Sequence, residues 1–475
     1  MKKRRLMLCS IISLIMVFVM AVPMTVSAAE TTVTTGTLQA AIDSATSGDV
    51  IKLGQNFNES IAIPAGKNIT LDLNGKTLTG GANDAIYVSL GATLTINDSV
   101  GNGSVKAATG GKAAVFNNGT TTIKNGYYTR SAGQWYTIVN HGTMTIENAK
   151  ADASIDGTSS LIENGYSSYT NKDERAGYVE RTNAKNPELT IKDGTFVSSG
   201  YNAVKNDDGG ILNINGGSFS AVRENGAVIQ NWHRATITAG KFTAKGESGT
   251  ISIGAYNTGV NDGVTTISGG TFSAEKNAVF AAGVGGNAKG KLTVENGVFS
   301  GKMSSELMNS AYDTTFSGGE FTDDPAQYVA DGKVAIKFVR ANKDGNYYVG
   351  TQEEIQEIAN TAKDGDTIDV IKGSITLDKI KPGVNVNNDR SNEKGEVIVN
   401  GTPLNPGYGM EIQKPATDPT KPSQDQTQKP SDTAKADKSA KTGDDFNLFA
   451  VGGVALAAII AMAAVAITGR RHRQR

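Results

Sequence analysis

The sequence predicts an all-β fold of solenoid type, and three observations predict it. Nine segments repeat one motif, typically apolar–Thr–apolar, then a Gly and an aromatic residue, as in "LTIKDGTFV", "LNINGGSFS" and "TTISGGTFS". Their anchors are Ile96, Ile123, Ile146, Ile191, Ile214, Ile237, Ile267, Val294 and Phe316, spaced by 27, 23, 45, 23, 23, 30, 27 and 22 residues. The alternation inside each motif is strand periodicity, and the glycine three residues after most anchors marks a tight bend. Proline is nearly absent, with only Pro187 between Pro64 and Pro325; interior strands exclude it because it removes a ladder donor.

A repeat near 23 residues with short strands and no helix is one turn of a stacked structure, since a single turn cannot bury its own apolar face. About ten coils are expected between Leu73 and Phe316, giving a rod near ~50 Å at ~4.8 Å per coil. Phe196, Phe219, Phe242, Phe272, Phe299 and Phe321 each fall five residues after an anchor, so they should stack along the core.

Over roughly Thr37 to Thr322 the chain resembles the right-handed parallel β-helix proteins of the pectin-lyase-like superfamily. Aligning "AAVFN", "YTIVN", "SLIEN", "NAVKN" and "AVIQN" brings Asn117, Asn140, Asn164, Asn206 and Asn231 into one file. The resemblance implies that they form the asparagine ladder of such solenoids.

The remaining segments follow in order. Residues 1–28 combine a basic start, a long apolar run and a small-residue exit, which reads as a secretory signal peptide. The only cysteine, Cys9, lies within it, so the mature chain would lack thiol chemistry and disulfides. Residues 29–64 read as an N-terminal cap, with Leu38, Ala41, Ile42 and Ala45 at helical spacing. The solenoid proper is placed at 65–323. The stretch 324–401 reads as the end of the solenoid plus a small helix–strand module, in which Ile355, Gly365, Asp366 and Ile368 repeat Leu38, Gly48, Asp49 and Ile51.

Residues 402–438, rich in Pro, Thr, Ser, Gln, Asp and Lys, read as a disordered, wall-spanning spacer. In 439–475, Ser439, Ala440, Lys441, Thr442 and Gly443 resemble a sortase cell-wall sorting signal, with Ser and Ala replacing the usual Leu and Pro. The apolar run 446–468 is long enough to cross a membrane, and its basic tail would stay cytoplasmic. The resemblance implies sortase and peptidoglycan as partners and a Gram-positive cell surface as the location. Removing the processed ends takes the formal charge from −1 to about −7. A mildly acidic surface without a basic stripe argues against nucleic acid.

No motif carries obvious catalysis. "NHG" at 140–142 and "NDDGG" at 206–210 superficially resemble polygalacturonase motifs, but in reversed chain order and without that family's other motifs. Carboxylates at Asp207, Asp208, Asp173 and Glu174 lack the spacing of a calcium-dependent lyase, and no His/Cys metal motif or cofactor site is expected. The informative signal is geometric. The 45-residue spacing places an insertion at 165–187, directly after Asn164. On that edge the residue after each ladder Asn is Asn118, His141, Gly165, Asp207 and Trp232 in turn. Exposed aromatic, imidazole and guanidinium groups beside a polar loop suit sugar stacking or a protein hot spot. The expected binding residues are therefore His141, Tyr166, Tyr169, Arg175, Asp207, Trp232, His233 and Arg234. The reading is an anchored adhesin for a host or dietary glycan, mucin or host protein. Alternatives are a polysaccharide lyase or glycoside hydrolase, or a structural wall protein.

Overall fold

Successive coils of the chain hydrogen-bond to each other along three files, so every strand set becomes a largely parallel sheet that runs along the stack. The computed structural model describes residues 28–131, 135–152, 159–165, 186–222, 227–245, 250–253, 263–282, 290–303, 312–341 and 343–414. It is an all-β solenoid of right-handed type with about 13 turns. Sheet A has 12 strands, sheet B has 16 and sheet C has 9. One coil shows the order: Val115–Asn117 lies in sheet C, Thr120–Ile123 in sheet A and Tyr127–Arg130 in sheet B.

All nine anchors form one buried file in sheet A, each paired with the next. The file extends back through Leu71 to Ile51, so the stack begins earlier than the expected Leu73. Its first strand, Glu30–Val33, already pairs with Val50–Leu53. These early coils lack the Thr–Gly–aromatic motif, which is why the repeat did not mark them.

The glycine after the anchor is required by both conformation and space. At Gly240 φ is +128°, and a Cβ there would stand 3.0 Å from the Phe242 ring and 3.2 Å from the Gly217 carbonyl. Tight bends bring the phenylalanines into register. Rings of Phe196, Phe219, Phe242, Phe272 and Phe299 stack at centroid distances of 4.8, 5.0, 4.6 and 4.9 Å, and Phe321 continues the column at 5.0 Å from Phe299. Each such contact adds ~0.5–1.5 kcal/mol beyond area burial.

At the corner from sheet C to sheet A, the five asparagines stand in register. Each side-chain amide donates to the next carbonyl oxygen, at 2.8 Å from Asn117 to Asn140 and 2.7 Å from Asn140 to Asn164, Asn164 to Asn206 and Asn206 to Asn231. Asn231 ends the file by donating to Thr265 Oγ1. All five are fully buried, and the same amides also satisfy backbone carbonyls such as those of Thr143 and Glu188. A polar file inside an apolar stack is thus hydrogen-bonded at every rung.

Helix α1, Leu38–Ser44, buries Leu38 and Ile42 and is N-capped by Thr37. The Glu59 carboxylate accepts from the Leu38 and Gln39 amides, placing negative charge at the helix start. Helix α2, Gln352–Asn360, has a Thr351/Glu354 capping box and packs in a second core with Ile336, Phe338, Ile368, Val370 and Leu377. Parallel pairing is interrupted at Phe321. From there sheet B continues through the antiparallel strands Asn346–Gly350 and Val334–Val339 to Thr367–Lys372, where parallel pairing resumes with Asn385–Asn388.

The disordered spacer was expected from residue 402, yet Thr402–Leu404 and Tyr408–Glu411 are strands. Both are antiparallel, and Pro403 is tolerated because its strand is the end member of its small sheet. Among the described residues no helix is long and apolar enough to cross a membrane. The expected signal peptide apart from its last residue, Ala28, the sorting signal and the span 446–468 lie outside the described residues.

Candidate functional site

Two regions carry polar chemistry on this scaffold. The first is the corner after the asparagine file, where sequence reasoning expected an exposed binding edge. Backbone ladder bonds hold it: the amides of His141, Asp207 and Trp232 donate to the carbonyls of Asn117, Asn164 and Asn206. The side chains, however, are not displayed. His141 is 1% exposed, Asp207 0% and Trp232 5%, which corrects the expectation of a solvent-facing edge.

The reason lies on the outer face of sheet C. Its three-residue strands point their central side chains outward, which puts Phe116, Val139, Glu163, Lys205 and Gln230 in one register file. The corner residues fold back onto that file. His141 meets the Phe116 ring edge-on at 5.0 Å, and its Nε2 lies 4.0 Å from Glu163 Oε2. Lys205 Nζ sits 2.7 Å from Asp207 Oδ2 and 4.2 Å from the centre of the Trp232 ring. Phe116 and Val139 pack further with Ala113 and Tyr136. His233 is half-buried and Arg234 exposed, so only these two of the expected residues that are described face outward. Burial and the neighbouring Arg234 hold His233 below the ordinary imidazole range. Tyr166, Tyr169 and Arg175 lie outside the described residues.

Glu163 and Lys205 were missed by sequence reasoning. The signal was available: the residue before a buried ladder Asn must point outward by strand alternation, and a charge there joins whatever covers the face.

The second region is a trough on the outer face of sheet B, with a volume of about 610 Å³. Alternation builds it. In Thr77–Thr79, Ser104–Ala107 and Tyr127–Arg130 the inward residues Leu78, Val105 and Tyr128 are buried, leaving Thr77, Thr79, Ser104, Lys106, Tyr127 and Thr129 on the outer face. Asn56 and Asn58 complete the lining. The strands are in register, with Thr77 beside Ser104 and Ser104 beside Tyr127.

The floor is preorganised by its own hydrogen bonds. The Thr77 and Ser104 hydroxyls lie 2.9 Å apart, and Asn56 Oδ1 accepts the Thr77 amide. Asp152, one coil further on, accepts from the Tyr127 hydroxyl at 2.7 Å and the Thr129 hydroxyl at 2.9 Å. Burial, followed by the bond to Asp152, raises the Tyr127 phenol above its usual range, so it stays a neutral donor. Together these groups offer amides, hydroxyls, one phenol ring and one ammonium. Chemically that set can bind and orient a polyhydroxyl ligand, and among the described residues no cluster of three or more His, Cys, Asp or Glu could hold a metal ion. The sequence contained this site as "TLT", "SVKA" and "YYTR", but nothing in any single segment sets it apart from an ordinary strand face. Comparison with protein-family models, with curated proteins and with solved structures finds no match for this chain.

Proposed function

We propose that this chain is a surface-displayed binding protein, and that the trough on sheet B takes a neutral or weakly charged glycan. The observation that carries the reading is the trough's composition: hydroxyls, amides and a half-buried tyrosine ring held in register on a rigid sheet, with a single lysine. Sugars need paired donors and acceptors plus an apolar ring face, and preorganised side chains lower the entropic cost of binding. A polyanion would call for several cations, and this lining offers only Lys106.

Display rests on the sequence. The leader-like residues 1–28 would export the chain, the Ser439–Gly443 motif would hand it to a sortase and peptidoglycan, and 446–468 would hold it in the membrane meanwhile. The region after 414 would then lift the solenoid away from the wall. A glycan on a host surface, on mucin or in the diet fits this arrangement.

The test is titration of residues 29–414 against an array of neutral, sulfated and uronate-containing oligosaccharides. Saturable binding that weakens about tenfold or more in Tyr127→Ala, with an unchanged melting temperature, supports the trough. Binding that is indifferent to Tyr127→Ala, Lys106→Ala and Asn58→Ala moves the site elsewhere.

A second reading, a polysaccharide lyase or hydrolase, would draw its acid and base from the corner pairs Glu163–His141 and Asp207–Lys205, of which Glu163, His141 and Asp207 are buried rather than open to a polymer. New reducing ends or unsaturated uronate on incubation with polygalacturonate or alginate, abolished by Glu163→Gln, would establish it.

A further inference from the structure

A stack of parallel strands ends in an edge whose outward peptide groups have no neighbouring coil. In sheet C that end strand is Ile61–Ile63. Ile61 and Ile63 bond inward, through the Ile61 amide to Ala85 and the Ser89 amide to the Ile63 carbonyl. By parallel-strand alternation the Ala62 peptide faces the open side. It is not left bare. The Ala62 amide donates to Gln39 Oε1 at 2.7 Å, and Gln39 Nε2 donates back to the Ala62 carbonyl at 2.9 Å. The primary amide of one α1 side chain thus supplies the donor and the acceptor that a further strand would have supplied.

The same device occurs again 317 residues later. Ile375–Leu377 is the end strand of its sheet, and the Asp378 peptide that follows it exchanges two bonds with Gln356 of α2, at 2.7 and 3.0 Å. Both glutamines are steadied from one helical turn on, Gln39 by Asp43 and Gln356 by Asn360, each at 2.8 Å. Both units also carry an aspartate clamp. Asp49 accepts from the Thr46 and Ala29 amides, and Asp366 accepts from the Lys363 and Ala341 amides.

We propose that Gln39 and Gln356 are edge plugs: each imitates the main chain of an absent strand and keeps the edge from pairing with the edge of a second copy of this chain. Exposed edge peptides are templates for such pairing, and the glutamine closes the one outward peptide it reaches.

The experiment uses residues 29–414 with Gln39→Ala, Gln356→Ala and the double change, and Gln55→Ala as an exposed control. Amide exchange at Ala62 is expected to accelerate about tenfold or more in Gln39→Ala, with the solenoid's circular dichroism unchanged, while Gln55→Ala behaves as the parent. Light scattering is expected to show concentration-dependent association in the double variant and a monomer in the parent. If Gln39→Ala unfolds α1, Gln39→Glu serves instead: it keeps the acceptor for Ala62 but loses the donor, and intermediate exchange is expected. Unchanged Ala62 exchange in Gln39→Ala, or a strictly monomeric double variant at every concentration, overturns the proposal.

Discussion

At the residue scale, the fold depends on positions where one chemical group does what no other residue can. Asn164 takes an amide bond from Asn140 and gives one to Asn206 and to the Ile211 carbonyl. In Asn164→Ala three groups lose this partner, the Asn140 amide, the Asn206 side-chain oxygen and the Ile211 carbonyl; the Asn140 amide keeps other acceptors, so a loss of roughly 2–4 kcal/mol is expected in urea unfolding, the sum of one or two unsatisfied groups. Gly240→Ala meets a different obstacle, a φ of +128° and the Phe242 ring; about 1–3 kcal/mol is expected for the strained backbone alone, read as a drop in the urea midpoint. His233 gives a pH signature. Its folded pKa is lowered by burial and Arg234, so the unfolded chain binds more protons than the fold once pH drops below about 6.5. Stability from this residue is therefore complete above that pH and falls as pH decreases towards the lower folded value. The denaturation midpoint of the parent should fall more steeply between about pH 7 and 5 than that of His233→Gln, and equal slopes would remove His233 as the cause.

At the element scale, what can be read from the sequence is what repeats. Ile191, Ile214 and Ile237, or Phe196, Phe219 and Phe242, recur at fixed spacing because each coil presents the same inward position to its neighbour, and periodicity transmits that directly. The match of Ile355, Gly365, Asp366 and Ile368 to Leu38, Gly48, Asp49 and Ile51 is legible for the same reason. What does not repeat is invisible. His141, Asp207 and Trp232 share a corner, but whether a corner side chain points to solvent depends on what lies beside it, here Phe116, Glu163 and Lys205. The trough is hidden differently, since Thr79, Lys106 and Thr129 become neighbours only after coils stack. The phenylalanine column tests the element scale directly. Phe242→Ala removes a ring flanked on both sides at 5.0 and 4.6 Å, and should cost ~3–5 kcal/mol in urea unfolding. Phe242→Leu, which refills most of the volume, should recover the larger part.

For the whole molecule, coils contact mainly the coil before and the coil after, so stability is close to a sum of units and interfaces. Residues 215–237 comprise one full repeat, from just after one anchor to the next, 23 residues on. Their deletion joins Ile214 to Thr238 and leaves every file in phase, so the shortened chain should fold with the same β-sheet circular dichroism and a lower melting temperature. Deleting only 215–225 shifts each downstream residue off its file and should abolish cooperative unfolding. The ladder that sets this phase also sets a load path. Its bonds, like those of the three sheets, run along the stack, so tension between residues 29 and 414 reaches them in series rather than all together. Pulled from its ends, the protein should pay out one coil at a time, each 23-residue coil releasing roughly 80 Å of chain, a ratchet of small yields instead of a single rupture.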